Sequence, residues 1–437
     1  MFRASTGGMD AARRVYRHAL VRLITPLLAP LSAAGHGGGG WSPLTLSIAA
    51  ILMSWDPGPT LAQRFESAVA LLDRALPRRR RVPRTYQGLI KALTCRGEAA
   101  AGALAAHLRT RTHEVAGKCW TVRGGAGGLV PIGVDGSRFD APRTIANEAL
   151  GHAGKDKCGP QMMLLLLVHL GTMLPWAWKV GGARSSERSL LRDVLDLLPA
   201  HTLLIADAGF TGFDLLTELH RRGVRFLVRV GRGTHLLCEL GYARREGRDT
   251  VYLWPDNNKS QRPLTLRLIR VGAVYLITNI TDPRELSKNA SAELYRRRWG
   301  VEVAFRSLKQ TLARRKVRSG APANARSELE WAAIGLWVLA LLGVQAISAA
   351  GHAPRLLSLA RVLAVVRGAR LRPITDRALR KKLGRAVQDR YRRRSRKKAH
   401  RWPHKKTPPP PGPPTITTAT ARQVRSAQRL RSTNLAA

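Results

Sequence analysis

The sequence predicts an α/β protein with a mixed sheet flanked by helices, and three features of the chain support this fold class. Between residues 129 and 230, apolar runs of strand length alternate with helical segments in the order three strands, helix, strand, helix, strand. A β-rich stretch at about 231–282 and a long helix at 285–312 follow. Residues 1–120 predict a separate helical N-terminal module, and residues 351–406 a basic helical C-terminal region.

The first strand is predicted at Leu129–Val134, where a short apolar run ends at Asp135. The glycine-rich turn at 124–128 precedes this strand and no Gly-Lys-Ser follows it, so a phosphate-binding nucleotide loop is disfavoured. The next two apolar runs, Met162–Leu170 and Met173–Val180, are separated by a two-residue turn. They predict a β-hairpin.

The centre of the chain continues the alternation of helix and strand. Ser185–Leu198 has a helical period, and Leu203–Ala206 is a compact apolar strand that ends at Asp207. Thr211–Arg222 and Val224–Val230 then predict a second helix and a fifth strand. Two carboxylates therefore stand at or near strand ends, where α/β folds collect binding and catalytic residues.

The β-rich stretch after the fifth strand looks like an insertion into this core. Its predicted strands are short and separated by turns, and they lie at Thr250–Trp254, Leu264–Arg270 and Ala273–Ile280. The helix predicted from Glu285 to Leu312 follows, with apolar residues on one side and a polar stripe beside them.

One later segment, Trp331–Ala350, has twenty residues without a charge and is long enough to span a bilayer. It is single, it holds Gly335 and Gln345, and it follows Glu330 directly, so a helix buried in a protein core is the favoured interpretation. The apolar patch near the N-terminus is interrupted by an arginine and two prolines, and no signal-peptide cleavage site follows it. We therefore expect a cytoplasmic, nucleoid-associated protein with no membrane partner.

Charge indicates the class of partner. The chain has 437 residues with 74 Lys and Arg against 28 Asp and Glu, a formal net charge of +46. Self-repulsion of this size suits a protein whose usual partner is a polyanion, and counterion release from nucleic acid rewards many Lys and Arg contacts. The four cysteines are scattered, without a Cys-x-x-Cys pair, so neither a disulfide framework nor a structural zinc site is indicated.

The C-terminal part of the chain is the most basic. Residues 367–406 contain eighteen Lys or Arg against Asp376 and Asp389. The Pro/Thr-rich segment 407–437 that follows has the composition of a disordered tail. We expect both to attract DNA electrostatically rather than to read its sequence. The basic segment 78–86 predicts either a DNA-backbone contact or a solvated linker.

A polar stripe is predicted on the late helix, where Arg298, Glu302 and Lys309 follow Tyr295 at offsets of three, seven and fourteen residues. These helical offsets place an aromatic ring, two cations and one carboxylate on one side, and such a stripe can face a phosphate backbone. The alternative is an ordinary charged helix face, in which Glu302 pairs with Arg298 or Arg306.

Three carboxylates are candidates for chemistry because acids are rare in this chain: Asp135, Asp207 and Glu302. Each also has a structural alternative, as a turn residue, a helix cap or an ion-pair partner. If the first and fourth strands are adjacent and the late helix packs against them, as in a ribonuclease H-like sheet, the three acids come together. Two Mg²⁺ ions held there, about 3.5–4 Å apart, would support phosphoryl transfer on DNA.

Three segments together resemble the catalytic blocks of DDE transposases of the insertion-sequence-four type. They are Gly133-Val-Asp135-Gly-Ser137, Ile205-Ala-Asp207-Ala-Gly-Phe210 and Tyr295-x2-Arg298-x3-Glu302-x6-Lys309. The third matches the Tyr-Arg-Glu-Lys signature of that family in residues and spacing. The resemblance covers about residues 125–350 and includes the β-rich insertion. It implies a ribonuclease H-like catalytic domain over these residues.

The resemblance also implies roles for single residues. Asp135, Asp207 and Glu302 would bind two Mg²⁺ ions, for which Mn²⁺ can substitute, and carry out catalysis. Trp299 could stack on a displaced base or pack in the core, and Trp254 is a weaker candidate for stacking. Contacts with DNA would come from the signature residues and their neighbours on the helix: Tyr295, Arg298, Trp299, Arg306 and Lys309.

For the whole protein the resemblance implies cut-and-paste transposition: cleavage that frees a 3′-hydroxyl, an optional hairpin intermediate, and joining to target DNA. The partners would be the inverted-repeat ends of the element, bound by the N-terminal module, and the target DNA. Pairing of two ends implies a homodimer on DNA. Two alternatives stay open: a catalytically inactive DNA-binding protein derived from a transposase, and a structure-selective nuclease of the same fold.

Overall fold

The computed structural model describes most of the chain, at residues 16–32, 40–76, 82–122, 128–153, 159–389 and 412–432. Residues 78–81 of the basic segment 78–86, most of the glycine-rich turn and the basic stretch 390–406 lie outside these residues. The chain divides into two compact units. The first comprises Met1–Trp120, Asp135–Leu197 and Gly300–Gln388, and the second Thr121–Val134, Leu198–Trp299 and Asp389–Ala437.

The described part of the chain is a mixed α/β structure. Its α-helices are α1 (Ala19–Ile24), α2 (Pro43–Trp55), α3 (Leu61–Ala75), α4 (Tyr86–Ala116), α5 (Glu187–Arg192), α6 (Phe213–Arg221), α7 (Lys288–Arg297), α8 (Trp299–Arg306), α9 (Pro322–Ala349), α10 (Leu359–Leu371), α11 (Asp376–Gly384) and α12 (Ala421–Ser432). Its strands are β1 (Val130–Asp140), β2 (Gln161–His169), β3 (Leu174–Gly182), β4 (Thr202–Ala206), β5 (Arg225–Val230), β6 (His235–Cys238), β7 (Thr250–Leu253), β8 (Leu264–Val271), β9 (Val274–Thr278) and β10 (Thr415–Thr418).

Helix α9 forms the core of the first unit, and helices α2 and α4 and strand β3 pack against it. It is the one described helix that is long and apolar enough to cross a membrane, but 78% of its most apolar window is buried in the protein. The predicted core helix is thereby confirmed. Helix α2 begins at Pro43, where the Ser42 side chain accepts a hydrogen bond from the backbone N–H of Thr45, a favourable N-cap.

The predicted hairpin is confirmed, with β2 and β3 antiparallel in the first unit. Strand β1 is longer than predicted, because it continues beyond Asp135 to Asp140. Its last residues are held by the burial of Phe139 and by backbone hydrogen bonds of Asp140 to Arg315 (3.2 Å) and Val317 (2.9 Å). Asp135 was expected to close or interrupt the strand, at or near its end, and this was wrong: Asp135 lies in its middle.

In the second unit the strand order is β10-β6-β7-β8-β9-β5-β4-β1, with β1 contributing Val130–Val134. Strands β1, β4 and β5 are parallel, so the predicted adjacency of the first and fourth strands is confirmed. The strands of the β-rich insertion also form as predicted, with β6 in addition. Since β9 pairs antiparallel with β5, the insertion extends the core sheet.

The expectation of a disordered tail over 407–437 was wrong for residues 412–432. Strand β10 pairs parallel with β6, and backbone hydrogen bonds at Thr415 and Ala419 hold its two ends to Thr234 (2.9 Å) and Cys238 (3.0 Å). Helix α12 then starts behind a Thr420 cap. The polar composition of these residues had indicated disorder. The edge of the sheet at β6, however, offers backbone hydrogen bonds to an extended segment whatever its side chains are.

Candidate active site

Asp207 is the centre of a charged cluster in the second unit. It follows β4, and its Oδ1 accepts a hydrogen bond from the backbone N–H of Ala208 (2.8 Å). Asp207 therefore caps the short 3-10 turn Ala208–Phe210, whereas the next α-helix, α6, has Gly212 at its N-cap. The Tyr295 hydroxyl also donates to Asp207 Oδ1, at 3.1 Å. Guanidinium nitrogens of Arg229 and Arg298 lie 3.6 Å from Oδ1 and Oδ2. One carboxylate is thus bracketed by two cations and a phenol.

The strand register explains this cluster. Strands β4 and β5 pair in parallel with Ala206 opposite Val228, which brings Arg229 beside Asp207. Helix α7, which carries Tyr295, packs against β4. Arg229 was missed by the sequence analysis, although the strand that contains it was predicted. Arg229 could have been found from the strand register, because it follows Val228, the residue that pairs with Ala206, just as Asp207 follows Ala206.

Two signature residues of the late helix, Tyr295 and Arg298, contact each other through a cation–π interaction. The guanidinium carbon of Arg298 lies 5.5 Å from the centre of the Tyr295 ring, and Arg298 is only 6% exposed. Burial, followed by the negative charge of Asp207, raises the pKa of Tyr295. The phenol therefore stays protonated at neutral pH and remains a hydrogen-bond donor to Asp207.

The other half of the signature lies in the first unit. The Lys309 ammonium donates to the Ser137 hydroxyl at 2.8 Å and stands 4.8 Å from the centre of the Phe139 ring. Phe139 also contacts Phe305, with ring centres 6.4 Å apart. These contacts pack α8 and the following turn on the second half of β1, which contains Asp135. Burial lowers the pKa of Lys309.

The sequence predicted one long helix from Glu285 to Leu312, and this was wrong, because the late helix is interrupted. It begins after the Ser287 cap, is interrupted at Arg298, and changes after Arg306 to a π-helical turn, Ser307–Thr311. In that turn the backbone N–H of Leu312 donates to the carbonyl of Ser307. Such turns are frequent at functional sites, and this one carries Lys309. Glu302 lies half-buried on α8, between the buried Val301 and the exposed Val303.

A fourth carboxylate, Glu187 at the start of α5, was also missed. A Cβ atom on Gly136 would lie 2.4 Å from Glu187 Oε1, so the glycine next to Asp135 allows this side chain to approach. Glu187 lies beside Gly136 because the chain turns back towards β1 after the hairpin of β2 and β3. Local sequence patterns do not reveal such a turn.

The two tryptophans and Arg306 can be placed directly. Trp299 is 54% exposed, so its alternative as a core residue was wrong. Trp254 is 3% exposed, donates from Nε1 to the Gln261 carbonyl at 2.8 Å and is covered by the Lys259 ammonium, so the weaker stacking hypothesis was also wrong. Arg306 is exposed on α8.

The carboxylate oxygens of the three predicted acids are suitable ligands for a hard divalent ion. Among the residues that the structure describes, however, no three His, Cys, Asp or Glu side chains are grouped to hold a metal ion. Asp207 contacts two guanidinium groups, and Asp135 Oδ1 accepts from the backbone N–H of Gly136 at 2.9 Å. The metal-binding triad therefore stays a prediction.

Comparison with known proteins defines the class. Residues 128–338 match the family model of the transposase DDE domain. The central part of the chain is thus similar to this domain, and the predicted resemblance to DDE transposases of the insertion-sequence-four type is confirmed.

One particular relative is Transposase InsG for insertion sequence element IS4 of Escherichia coli (strain K12). It is 27% identical over 225 residues, covering 46% of this chain and 49% of that protein, so the chain spans about half the length of this relative. A cryo-EM structure of the piggyBac transposase synaptic complex with hairpin DNA aligns with 88% of this chain and 86% of that chain at 12% identity. Its TM-score of 0.37 is too low to bear on the fold.

Proposed function

We propose that this protein moves an insertion sequence by cut-and-paste phosphoryl transfer on DNA, with Asp135, Asp207 and Glu302 as its catalytic residues. The observation that carries the proposal is the register of β1 and β4, in which Gly133 lies opposite Ile205. Each aspartate follows its strand partner by two residues, so both side chains would point to the same face.

The packing of α8 supports Glu302 as the third member. The contacts of Phe305 with Phe139 and of Lys309 with Ser137 hold this helix on the same half-strand as Asp135. The strand pairings, with a hairpin of β2 and β3 and parallel β1, β4 and β5, support a ribonuclease H-like arrangement of the catalytic domain over 125–350.

The same three carboxylates would hold two Mg²⁺ ions, or Mn²⁺ in their place. Bound there, such ions activate the attacking water or 3′-hydroxyl and stabilise the leaving oxygen. The surroundings of Asp207 fit this role, because its two oxygens already attract the positive charges of Arg229 and Arg298. A metal ion on Asp207 would release these guanidinium groups.

The neighbouring side chains then have separable tasks. The Tyr295 hydroxyl and the backbone N–H of Ala208 keep Asp207 oriented. Arg229 and Arg298 would bind a DNA phosphate once they leave the carboxylate, since a guanidinium binds phosphate oxygens in two parallel hydrogen bonds. Trp299, which is exposed and follows Arg298 directly in the sequence, would stack on a displaced base. Residues 1–120 would bind the element ends, and two protomers would pair them.

A supercoiled plasmid carrying the inverted repeats that flank the coding sequence tests this function. With Mg²⁺ we expect nicks at the repeat ends and joined products with target DNA. Cleavage without any joined product would favour the structure-selective nuclease. Binding without cleavage would favour the inactive DNA-binding protein.

Substitution of Arg298 tests the phosphate contact. Arg298→Ala should weaken binding to end DNA by about tenfold, because one charged hydrogen-bonding group is lost. The slope of log affinity against log salt concentration should fall by about one, since about one counterion fewer is released on binding. The affinity of the protein for Mg²⁺ should change less than its affinity for DNA. Gel shifts over a range of salt concentrations measure both quantities.

The control is Arg297→Ala, which removes an equal charge from a residue paired with Glu293 on the same helix. Equal losses in the two variants would show only a general effect of charge. Unchanged affinity and hairpin yield in Arg298→Ala would remove Arg298 from the site.

A further inference from the structure

The C-terminal end of helix α2 lies against arginine side chains from later parts of the first unit. Arg367 of α10 donates from Nε to the Trp55 carbonyl at 2.8 Å, and Arg370 donates from Nη1 to the Leu52 carbonyl at 3.1 Å. A third arginine, Arg314, comes from the segment that follows the π-helical turn. The last carbonyls of a helix have no partner within the helix, and positive charge is favourable beside them. All three arginines therefore cap this helix end.

Arg314 is the arginine that ties this helix end to the signature segment. It is only 2% exposed, and its Nη2 donates to the carbonyls of Met53, Ser54 and Asp56 at 2.8–2.9 Å. Burial lowers the pKa of Arg314 to about 9, so the guanidinium is still charged at neutral pH. A buried charged donor is costly to leave without its acceptors. The side chain therefore fixes the backbone of Arg314 relative to α2.

The backbone just before Arg314 is tightly wound and strained at one residue. The Arg314 N–H donates to the Leu308 carbonyl at 2.9 Å, which closes the end of the π-helical turn. Ala313, between the turn and the arginine, has a φ of 55°. Residues other than glycine adopt this left-handed conformation at an energetic cost, so it persists only where surrounding contacts hold it. The side chain of Arg314 supplies such a contact at the next residue.

Lys309 lies in the same π-helical turn, on the side that faces β1. Its ammonium donates to the Ser137 hydroxyl at 2.8 Å and stands 4.8 Å from the centre of the Phe139 ring. A lysine side chain is flexible, so its ammonium stays in one place only if the backbone that carries it is fixed. We propose that Arg314 is a positioning residue: by tying the turn to α2, it holds the Lys309 ammonium at this place on β1.

The segment after Arg314 has a separate anchor on β1. Backbone hydrogen bonds join Asp140 to Arg315 (3.2 Å) and to Val317 (2.9 Å), and they do not involve the Arg314 side chain. Loss of that side chain should therefore shift the turn and Lys309 without detaching the segment from β1. Because α2 belongs to the N-terminal module, the contact also joins that module to the lysine that would contact DNA. This last consequence alone rests on the proposed function.

The position of Lys309 can be followed by NMR of the full chain at neutral pH, without DNA. In protein whose lysines carry ¹³C at the ε-carbon, the ring current of Phe139 should displace the ε-methylene resonance of Lys309 upfield. Lys309→Arg identifies this resonance by its loss. Arg314→Met removes the guanidinium and keeps an unbranched apolar side chain in its place. In this variant we expect the Lys309 resonance to move to the position of a solvent-exposed lysine.

Arg367→Met is the matched control, because Arg367 caps the same end of α2 from α10, a helix that also packs against the π-helical turn. Its Lys309 resonance should stay at the parent position. An unmoved resonance in folded Arg314→Met, or an equal displacement in Arg367→Met, would overturn the proposal. If Arg314→Met does not fold, Arg314→Lys is judged by the same two outcomes, since it keeps the charge and loses the planar fork.

A binding experiment separates this proposal from the proposed function. In gel shifts with an element-end duplex, adding Arg314→Met to Lys309→Ala should lower the affinity by no more than about twofold, because both changes act on the same ammonium. An undiminished further loss would also overturn the positioning role. Unchanged DNA affinity in Lys309→Ala, together with a displaced resonance in Arg314→Met, would remove Lys309 from the DNA contact and leave the positioning role in place.

Discussion

Asp207→Asn should lower Mg²⁺-dependent cleavage of an element end by on the order of 10³-fold or more while DNA binding is kept. A metal ion contributes several kcal/mol of transition-state stabilisation, and a neutral amide is a much weaker ligand than a carboxylate. The fold should be unaffected, because the Asn carbonyl can still accept from Ala208 and Tyr295. Single-turnover cleavage and gel shifts on the same duplex measure the two effects.

The same loss is expected for Asp135→Asn and Glu302→Gln, because all three carboxylates would act on the same ions. The matched control is Asp214→Asn, an exposed aspartate in the first turn of α6. It should cleave normally. Normal cleavage by Asp207→Asn would contradict the assignment, and a parallel loss of DNA binding would make Asp207 a structural residue.

The largest effect on stability is expected from Asp56→Ala, with a loss of about 3–5 kcal/mol in the free energy of unfolding. Arg370 is 5% exposed, and its Nη2 donates to Asp56 Oδ2 at 2.6 Å. Without the carboxylate a buried guanidinium would remain unpaired, and burial already lowers the pKa of Arg370. Urea unfolding at neutral pH measures the difference.

A less buried ion pair of equal length provides the control. Arg22 and Asp376 are also 2.6 Å apart, but their side chains are 21% and 22% exposed. Because solvent screens this pair, Asp376→Ala should cost about 1 kcal/mol or less. Similar losses in the two variants would show that burial does not set the strength of the Asp56–Arg370 pair.

The parts of the fold that the sequence predicts well are those set by local pattern. The strands β1–β5 and helices α5 and α6 follow from apolar runs and helical period. The signature residues were found by their helical spacing together with the resemblance to the family signature. The contacts of Asp207 with Tyr295 and Arg298 then agree with a shared site.

What the sequence could not reveal depends on strand register and chain reversal. Arg229 joins Asp207 only because β5 lies parallel to β4 in one register, and Glu187 reaches Gly136 only after the hairpin folds back. The pairing of β10 with β6 joins segments far apart in the chain. The π-helical turn at Lys309 is a backbone adjustment within a pattern that is otherwise helical.

The most direct test of the central claim is anomalous diffraction from crystals of the protein grown with Mn²⁺ and an element-end duplex. We expect two manganese positions ligated by Asp135, Asp207 and Glu302, with Arg229 and Arg298 moved from Asp207 to a DNA phosphate. Manganese bound elsewhere, with Asp207 still paired to both arginines, would contradict the account.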